Sequence, residues 1–277
     1  NRQGLKGQVK PYESADVDDE DYPDGLILKS ALQELKKLKS KQNPFFLGVG
    51  FFKPHLPFNA PKKYWELYER SEIQVAPDPF VPENINPKSL GKMGEFYNYR
   101  LSDEKPTFDK PVSNQYSRKL IHGYYASISY IDNLVGRLLL ELKELDLDKN
   151  TMVILWGDHG WHLGNDLKWG KHTLFERSLK SSLIIKLPGL KHASKAINSI
   201  VESVDLYPTI LDFCGLDQPY KLDGISLINT ILTGQTVKGR RAYSYWKDGI
   251  SLRTDKYRLT KFFREEEPTI ELFDVTS

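Results

Sequence analysis

One cysteine, Cys214, occurs in 277 residues, so no disulfide can close within the chain. Its setting, LDFCGL, is that of a small apolar residue near a helix end. An excess of one charge is also lacking. The 39 basic and 37 acidic residues leave a formal net charge of +2, too little for the footprint of a nucleic-acid binder. No apolar run approaches the roughly 18 residues of a membrane span, which leaves a soluble protein as the expectation. No Asn-x-Ser/Thr sequon occurs, so nothing supports an N-glycosylated product, and the compartment stays open. Histidine is scarce at six residues, and three of these crowd into LWGDHGWHLGNDLKWGKH, residues 155–172. The chain starts at Asn1 with neither a signal peptide nor a clear first strand, and it stops at IELFDVTS where a strand-like run enters a turn. The expectation is a fragment with its N-terminal portion missing and its end truncated.

What is present suffices for a core: 39% hydrophobic residues over this length can fill one large α/β domain or two moderate ones. DGLILKSALQELKKLKSK repeats apolar residues at Leu28, Leu32, Leu35 and Leu38, a helical spacing with lysines outside. The nearly continuous apolar run from Phe45 to Phe52 predicts a buried strand ending at Lys53, Pro54 and His55. Residues 56–112 are rich in proline and aromatics and predict a long irregular excursion with short helical turns, of the kind that shapes substrate pockets. A 3.6-residue apolar pattern from Asn114 to about Leu145 predicts one long helix. Thr151–Trp156 and Leu183–Leu187 predict two further buried strands, SVDLYPTILDFCGL and DGISLINTIL two helices, and RAYSYW, GISLRT, YRLTKFF and IELFDV a small antiparallel sheet. The expected domains are 1–234, α/β, and 235–277, a small antiparallel subdomain.

In open α/β sheets, reactive residues gather beyond the carboxyl ends of strands. Lys53 and His55 follow one predicted strand, Asp158 and His159 another; as parallel neighbours these strands would bring both pairs to one crevice, with Lys171 returning to its rim. Two ammonium groups, imidazoles and a metal-capable carboxylate suit ester cleavage at sulfur or phosphorus, with His55 as proton donor to the leaving oxygen. Asp-His-Gly alone is a weak signal, since turns after strands favour those residues. His162 and His172 flank the loop as polar packing or, the preferred reading, as substrate contacts; His122 and His192 are expected on a helix surface and in a loop. The acidic run DVDDEDYPD, with Asp18 and Asp19, is expected to be a solvated loop rather than a ligand set.

PFFLGVGFFKPHLPF, YYASISYIDNLVGRLL, ILWGDHGWHLGNDLKWGKHTLFE and SVDLYPTILDFCGL, in this order and spacing, resemble the type I, formylglycine-dependent sulfatases, and among them the iduronate-2-sulfatase branch. The resemblance implies an alkaline-phosphatase-like fold, a mixed and mostly parallel sheet flanked by helices with a small C-terminal antiparallel sheet. It implies a hydrolase that removes sulfate from a sulfated sugar, with one Ca2+ ion. It also implies a sulfated carbohydrate as partner and, for the full-length protein, the formylglycine-generating enzyme; neither nucleic acid nor a membrane span is expected. Lys53 matches a sulfate-binding lysine, His55 a histidine near the scissile ester oxygen, Asp158 and His159 the pair that reaches the calcium, and Lys171 a second sulfate-binding lysine. The iduronate-type DHGW signature points to a uronate 2-O-sulfate of a glycosaminoglycan or similar polysaccharide. The implied location is periplasmic or secreted, or lysosomal in a eukaryote.

Departures from the family pattern are His159 where many relatives have Asn or Gln, Asn165 where Glu is usual and Ser182 where Pro is usual. The Cys/Ser-x-Pro-Ser-Arg motif that yields the formylglycine nucleophile is absent, and Cys214 does not replace it. In the family that motif lies upstream of the segment matched here, so the chain alone is expected to be inactive. Two other readings stay open: a phosphoester or phosphonoester hydrolase of the alkaline phosphatase superfamily, and a non-catalytic protein that binds sulfated glycans.

Overall fold

The computed structural model describes residues 7–190, 196–263 and 267–276. These divide into two compact units. One runs up to Pro82 and adds Lys92–Met152 and Trp161–Gly170; the other comprises Glu83–Gly91, Val153–Gly160 and the chain from Lys171 onward. The C-terminal strands share a unit with the segments at 153–160 and 171–234.

The first unit is built on three helices, α1 (Pro23–Lys41), α2 (Lys62–Trp65) and α3 (Asn114–Glu144), and on β1 (Tyr12–Ala15) paired in parallel with β2 (Phe58–Pro61). Pro23 occupies the first turn of α1, where its missing N–H costs nothing, and Ser113 caps α3 by accepting a hydrogen bond from the Tyr116 amide. The apolar stripe of α3 is long enough to serve two clusters. Its first half packs with Phe58, Met93, Phe96 and Trp169, and its second half with Tyr22, Leu28, Trp65 and Tyr64. Between them lies Gly123: a Cβ there would stand 2.8 Å from the Trp65 ring and 2.9 Å from Phe58 Cβ, so the helix can approach the strand closely only because no side chain intervenes. A short hairpin, β4 (His162–Leu163) with β5 (Trp169–Gly170), completes this unit.

In the second unit β3 (Val153–Trp156) pairs antiparallel with β6 (Leu183–Lys186). The predicted tail forms a four-stranded antiparallel sheet in the order β10 (Thr269–Asp274), β9 (Tyr257–Phe262), β8 (Gly249–Arg253), β7 (Ala242–Trp246). The helices are α4 (Glu176–Leu179), α5 (Leu206–Cys214) and α6 (Ile228–Thr233). Asp205, fully buried at the start of α5, accepts hydrogen bonds from Arg240 at 2.9 and 3.1 Å and from the Ile225 amide at 2.9 Å, tying together three stretches distant in sequence. Charge pairing of this kind is costly to break once water is excluded.

Three expectations are corrected. Phe45–Phe52 is not a ladder strand. It alternates between half-buried and exposed residues as extended chain should, but it has no strand partner among the described residues, and Phe46 is 80% exposed. The acidic run is not wholly solvated: Asp19 is buried and held by Lys63 (2.8 Å), Tyr64 (2.9 Å), Asn133 (3.2 Å) and Arg137 (3.4 Å). Cys214 ends a helix, as expected, and is exposed. His122 is buried rather than on the helix surface; His192 lies outside the described residues.

His122 donates from Nε2 to the Trp65 carbonyl at 2.7 Å and accepts at Nδ1 from Arg70 Nε at 3.1 Å, so its neutral form fits both partners and its cation would face a guanidinium. Burial, opposed by the Trp65 hydrogen bond and aided by Arg70, holds its pKa below the usual histidine range. The unfolded chain therefore takes up the proton first. The resulting stability is complete above about pH 6.5 and is lost as pH falls through the lower folded-state value, at no more than about 1.4 kcal/mol per pH unit. His122→Gln should flatten this acid limb in urea titrations run between pH 7 and 5, at some cost in stability at neutral pH.

Candidate functional site

The sequence-predicted residues divide between the units. Lys53, His55 and His162 belong to the first; Asp158, His159, Lys171 and His172 belong to the second.

The loop from Lys53 to Pro57 leaves the extended run with two cis peptides, Lys53–Pro54 and Leu56–Pro57. It is held from inside. Lys53 Nζ donates to the carbonyls of His55 (2.9 Å) and Pro57 (2.7 Å), so its ammonium shapes its own loop. The sequence offered Lys53 only as an anion binder. From outside, the buried carboxylate of Asp24 accepts a hydrogen bond from the Phe52 amide, and it lies close enough to Lys53 to feel its charge. Burial nonetheless raises the Asp24 pKa, with the Phe52 amide and Lys53 opposing. The His55 ring, half-exposed, donates from Nδ1 to the Leu56 carbonyl at 2.7 Å and presents Nε2 to Glu95 Oε1 at 2.6 Å, with Trp161 6.3 Å away between ring centroids. Asp24 and Glu95 were missed by sequence reasoning. An acidic residue beside the proline that opens α1 was a helix-start signal, but nothing local marks Glu95 in the irregular stretch.

His162, also of the first unit, faces inward. It is fully buried, with Nδ1 3.0 Å from Asp166 Oδ2, and its imidazole is used in packing the β4–β5 hairpin.

In the second unit, Asp158 and His159 follow β3 as expected. The Asp158 side chain is 76% exposed. His159 Nδ1 lies 2.8 Å from the Gly160 carbonyl, which can only accept; in the neutral ring this leaves Nε2, 3.4 Å from Asp158 Oδ2, as the nitrogen open to a cation. A backbone carbonyl that fixes the tautomer behind a histidine is the arrangement metal-binding histidines commonly use, so the pair fits a cation as two neighbouring donors. Ca2+ takes six to eight oxygen ligands, and among the described residues no group of three or more metal-ligating side chains is assembled; Asp158 and His159 would supply only part of a shell. Lys171 is half-buried, and His172 stacks on Trp246 with centroids 4.9 Å apart and planes 15° apart.

The Sulfatase family model matches residues 2–216, and the model described as N-sulphoglucosamine sulphohydrolase, C-terminal, matches residues 157–277. The chain belongs to the sulfatase family. This sulfatase sequence is 32% identical to human iduronate 2-sulfatase over 238 residues, covering 76% of the chain and 43% of that protein. Among solved structures, it is similar to the yidJ protein of Bacteroides fragilis (26% identity, TM-score 0.74, 92% of this chain and 52% of that one). It shares its fold with a phosphonate monoester hydrolase of Agrobacterium radiobacter (20% identity, TM-score 0.79, 97% of this chain and 57% of that one). The sulfatase chain thus has an alkaline-phosphatase-like mixed α/β fold with a small C-terminal antiparallel sheet, and it spans about half the length of the relatives it matches. No helix among the described residues is long and apolar enough to cross a membrane.

Gly160 explains why Asp-His is followed by glycine. Its amide donates to the Ser178 carbonyl at 2.8 Å, and a Cβ would fall 2.0 Å from the Arg177 carbonyl oxygen. Gly160→Ala must push the 176–180 backbone away; we expect about 1–3 kcal/mol of destabilisation in thermal or urea melts, with loss of whatever cation affinity the Asp158–His159 pair provides. An unchanged melt would refute this close contact.

Proposed function

We propose that this chain is part of a sulfuric ester hydrolase acting on a sulfated sugar, a uronate 2-O-sulfate of the kind found in glycosaminoglycans, in a secreted, periplasmic or lysosomal setting. The observation that carries the reading is the sulfatase match over residues 2–216, which include the KPH and DHGW segments, together with the geometry around them: a histidine on a hydrogen-bonded loop, and an Asp-His pair whose imidazole Nδ1 is turned to a backbone carbonyl.

In this reading His55 gives a proton to the leaving sugar oxygen, which would otherwise depart as an alkoxide. Asp158 and His159 would hold Ca2+, whose charge favours the sulfuryl oxygens as negative charge develops on them. Lys171 neutralises the sulfate. Lys53 serves the reaction by holding the His55 loop in shape, rather than by meeting the anion directly. His172, flat on Trp246, offers an aromatic ledge for a sugar ring. No formylglycine motif lies within these 277 residues; we propose that they do not turn over alone and that activity requires a longer protein carrying that modified residue, installed by the formylglycine-generating enzyme.

The test is sulfate release from a 2-O-sulfated uronate oligosaccharide by such a longer protein, beside phosphonate monoester hydrolysis. Sulfate ester is expected to be the faster substrate. His55→Ala should lower kcat by roughly 10²–10⁴-fold, and Asp158→Ala or a calcium chelator should remove most activity. Faster phosphonate cleavage would move the assignment to the phosphonoester hydrolases that share the fold. Binding of sulfated glycan with no release of sulfate would leave a binding protein.

A further inference from the structure

We propose that Glu95 is a positioning residue for His55: its carboxylate occupies the Nε2 edge of the ring in the resting protein and must yield that edge to the substrate's leaving oxygen. The functional half of this statement rests on the reading of His55 as proton donor; the contact itself does not.

A carbonyl oxygen can only accept, so the 2.7 Å contact with Leu56 places a proton on Nδ1. Nε2 faces Glu95 Oε1 at 2.6 Å. Both nitrogens of the ring therefore already have acceptors. A proton donor in that state cannot serve a third acceptor until one of the two is released.

The two contacts differ in how they can open. Leu56 is the next residue in the chain, and its carbonyl sits in a loop already gripped by Lys53. Glu95 reaches His55 from 40 positions away on three rotatable bonds. Its backbone is anchored by its neighbours: Met93 and Phe96 are both buried in the aromatic cluster, with the Phe96 ring 6.3 Å from Trp169. A turn of the Glu95 side chain would open the Nε2 edge without moving the loop. The exchange is one of like for like, because an anionic sulfate ester brings its own oxygens to the edge that a carboxylate oxygen vacates. Glu95 thus fixes the ring's orientation before substrate arrives and sets a threshold that only an oxygen acceptor held at that edge overcomes.

The experiment is carbethoxylation by diethyl pyrocarbonate, which attacks exposed imidazole nitrogen, followed residue by residue by mass spectrometry on the 277-residue chain and on its isosteric Glu95→Gln variant. His159 is a matched internal control, its side chain being 34% exposed against 36% for His55. We expect His55 to react at least about three times faster in Glu95→Gln while His159 and the buried His122 and His162 keep their rates. Equal His55 rates in the two chains would overturn the proposal. So would a rise shared by all the histidines, because losing one latch frees only one ring. The functional readout is the split between KM and kcat in the sulfate-release assay. Glu95→Gln is expected to lower KM for the sulfated sugar at least about threefold while changing kcat by less, and an unchanged or raised KM would overturn the latch. Should no sulfate be released by any form of the protein, the sulfatase reading falls while the labelling result still decides whether Glu95 guards His55.

Discussion

The close approach of the long helix Asn114–Glu144 to the strand Phe58–Pro61 is the constraint on which the first unit depends. At Gly123 the helix backbone comes within contact distance of Trp65 and Phe58, and this crossing splits the apolar face of the helix between two clusters. A larger residue there would lift the helix and loosen both at once. The loop that carries Lys53 and His55 runs directly into this strand, and Leu56 and Phe58, on either side of Pro57, are buried in the same cluster. The loop of the candidate proton donor is therefore attached to this packed crossing, which anchors its C-terminal end.

Around this scaffold, buried and half-buried carboxylates do the holding. Asp24 accepts from the backbone at the entry to the loop, Glu95 meets the His55 ring, and Asp19 gathers Lys63, Tyr64, Asn133 and Arg137. In the second unit Asp205 and Glu176 play the same part with Arg240 and Arg258. A carboxylate with several donors fixes a loop more firmly than apolar contact does, because each hydrogen bond is directional and leaving any one unmade in a buried place is costly. Asp158 differs in kind: its carboxylate is exposed.

Shared fold does not decide chemistry. The same architecture is found in the yidJ protein of Bacteroides fragilis and in a phosphonate monoester hydrolase, so the fold by itself does not choose between sulfate and phosphonate esters.

Local pattern carried much of the architecture. The 3.6-residue repeats marked the helices at Pro23–Lys41 and Asn114–Glu144, and the alternation after Gly234 marked all four strands of the C-terminal sheet, because periodicity reports which face of an element is apolar and needs only neighbours in sequence. The KPH and DHGW segments were legible for a similar reason, being short runs whose chemistry lies in adjacent residues. Periodicity could not tell that Phe45–Phe52 would lack a ladder, since a strand exists only through its partner. Nor could sequence reveal that Asp19, His122 and His162 are buried, that Lys53 turns back on its own loop, or that Glu95 meets His55. Those facts belong to pairs such as Asp19 with Arg137, which lie 118 positions apart. The sequence by itself determined the helices, the terminal sheet and the motif chemistry; tertiary structure alone decided which polar groups are buried and with whom, because burial and pairing are set by segments that only folding brings together.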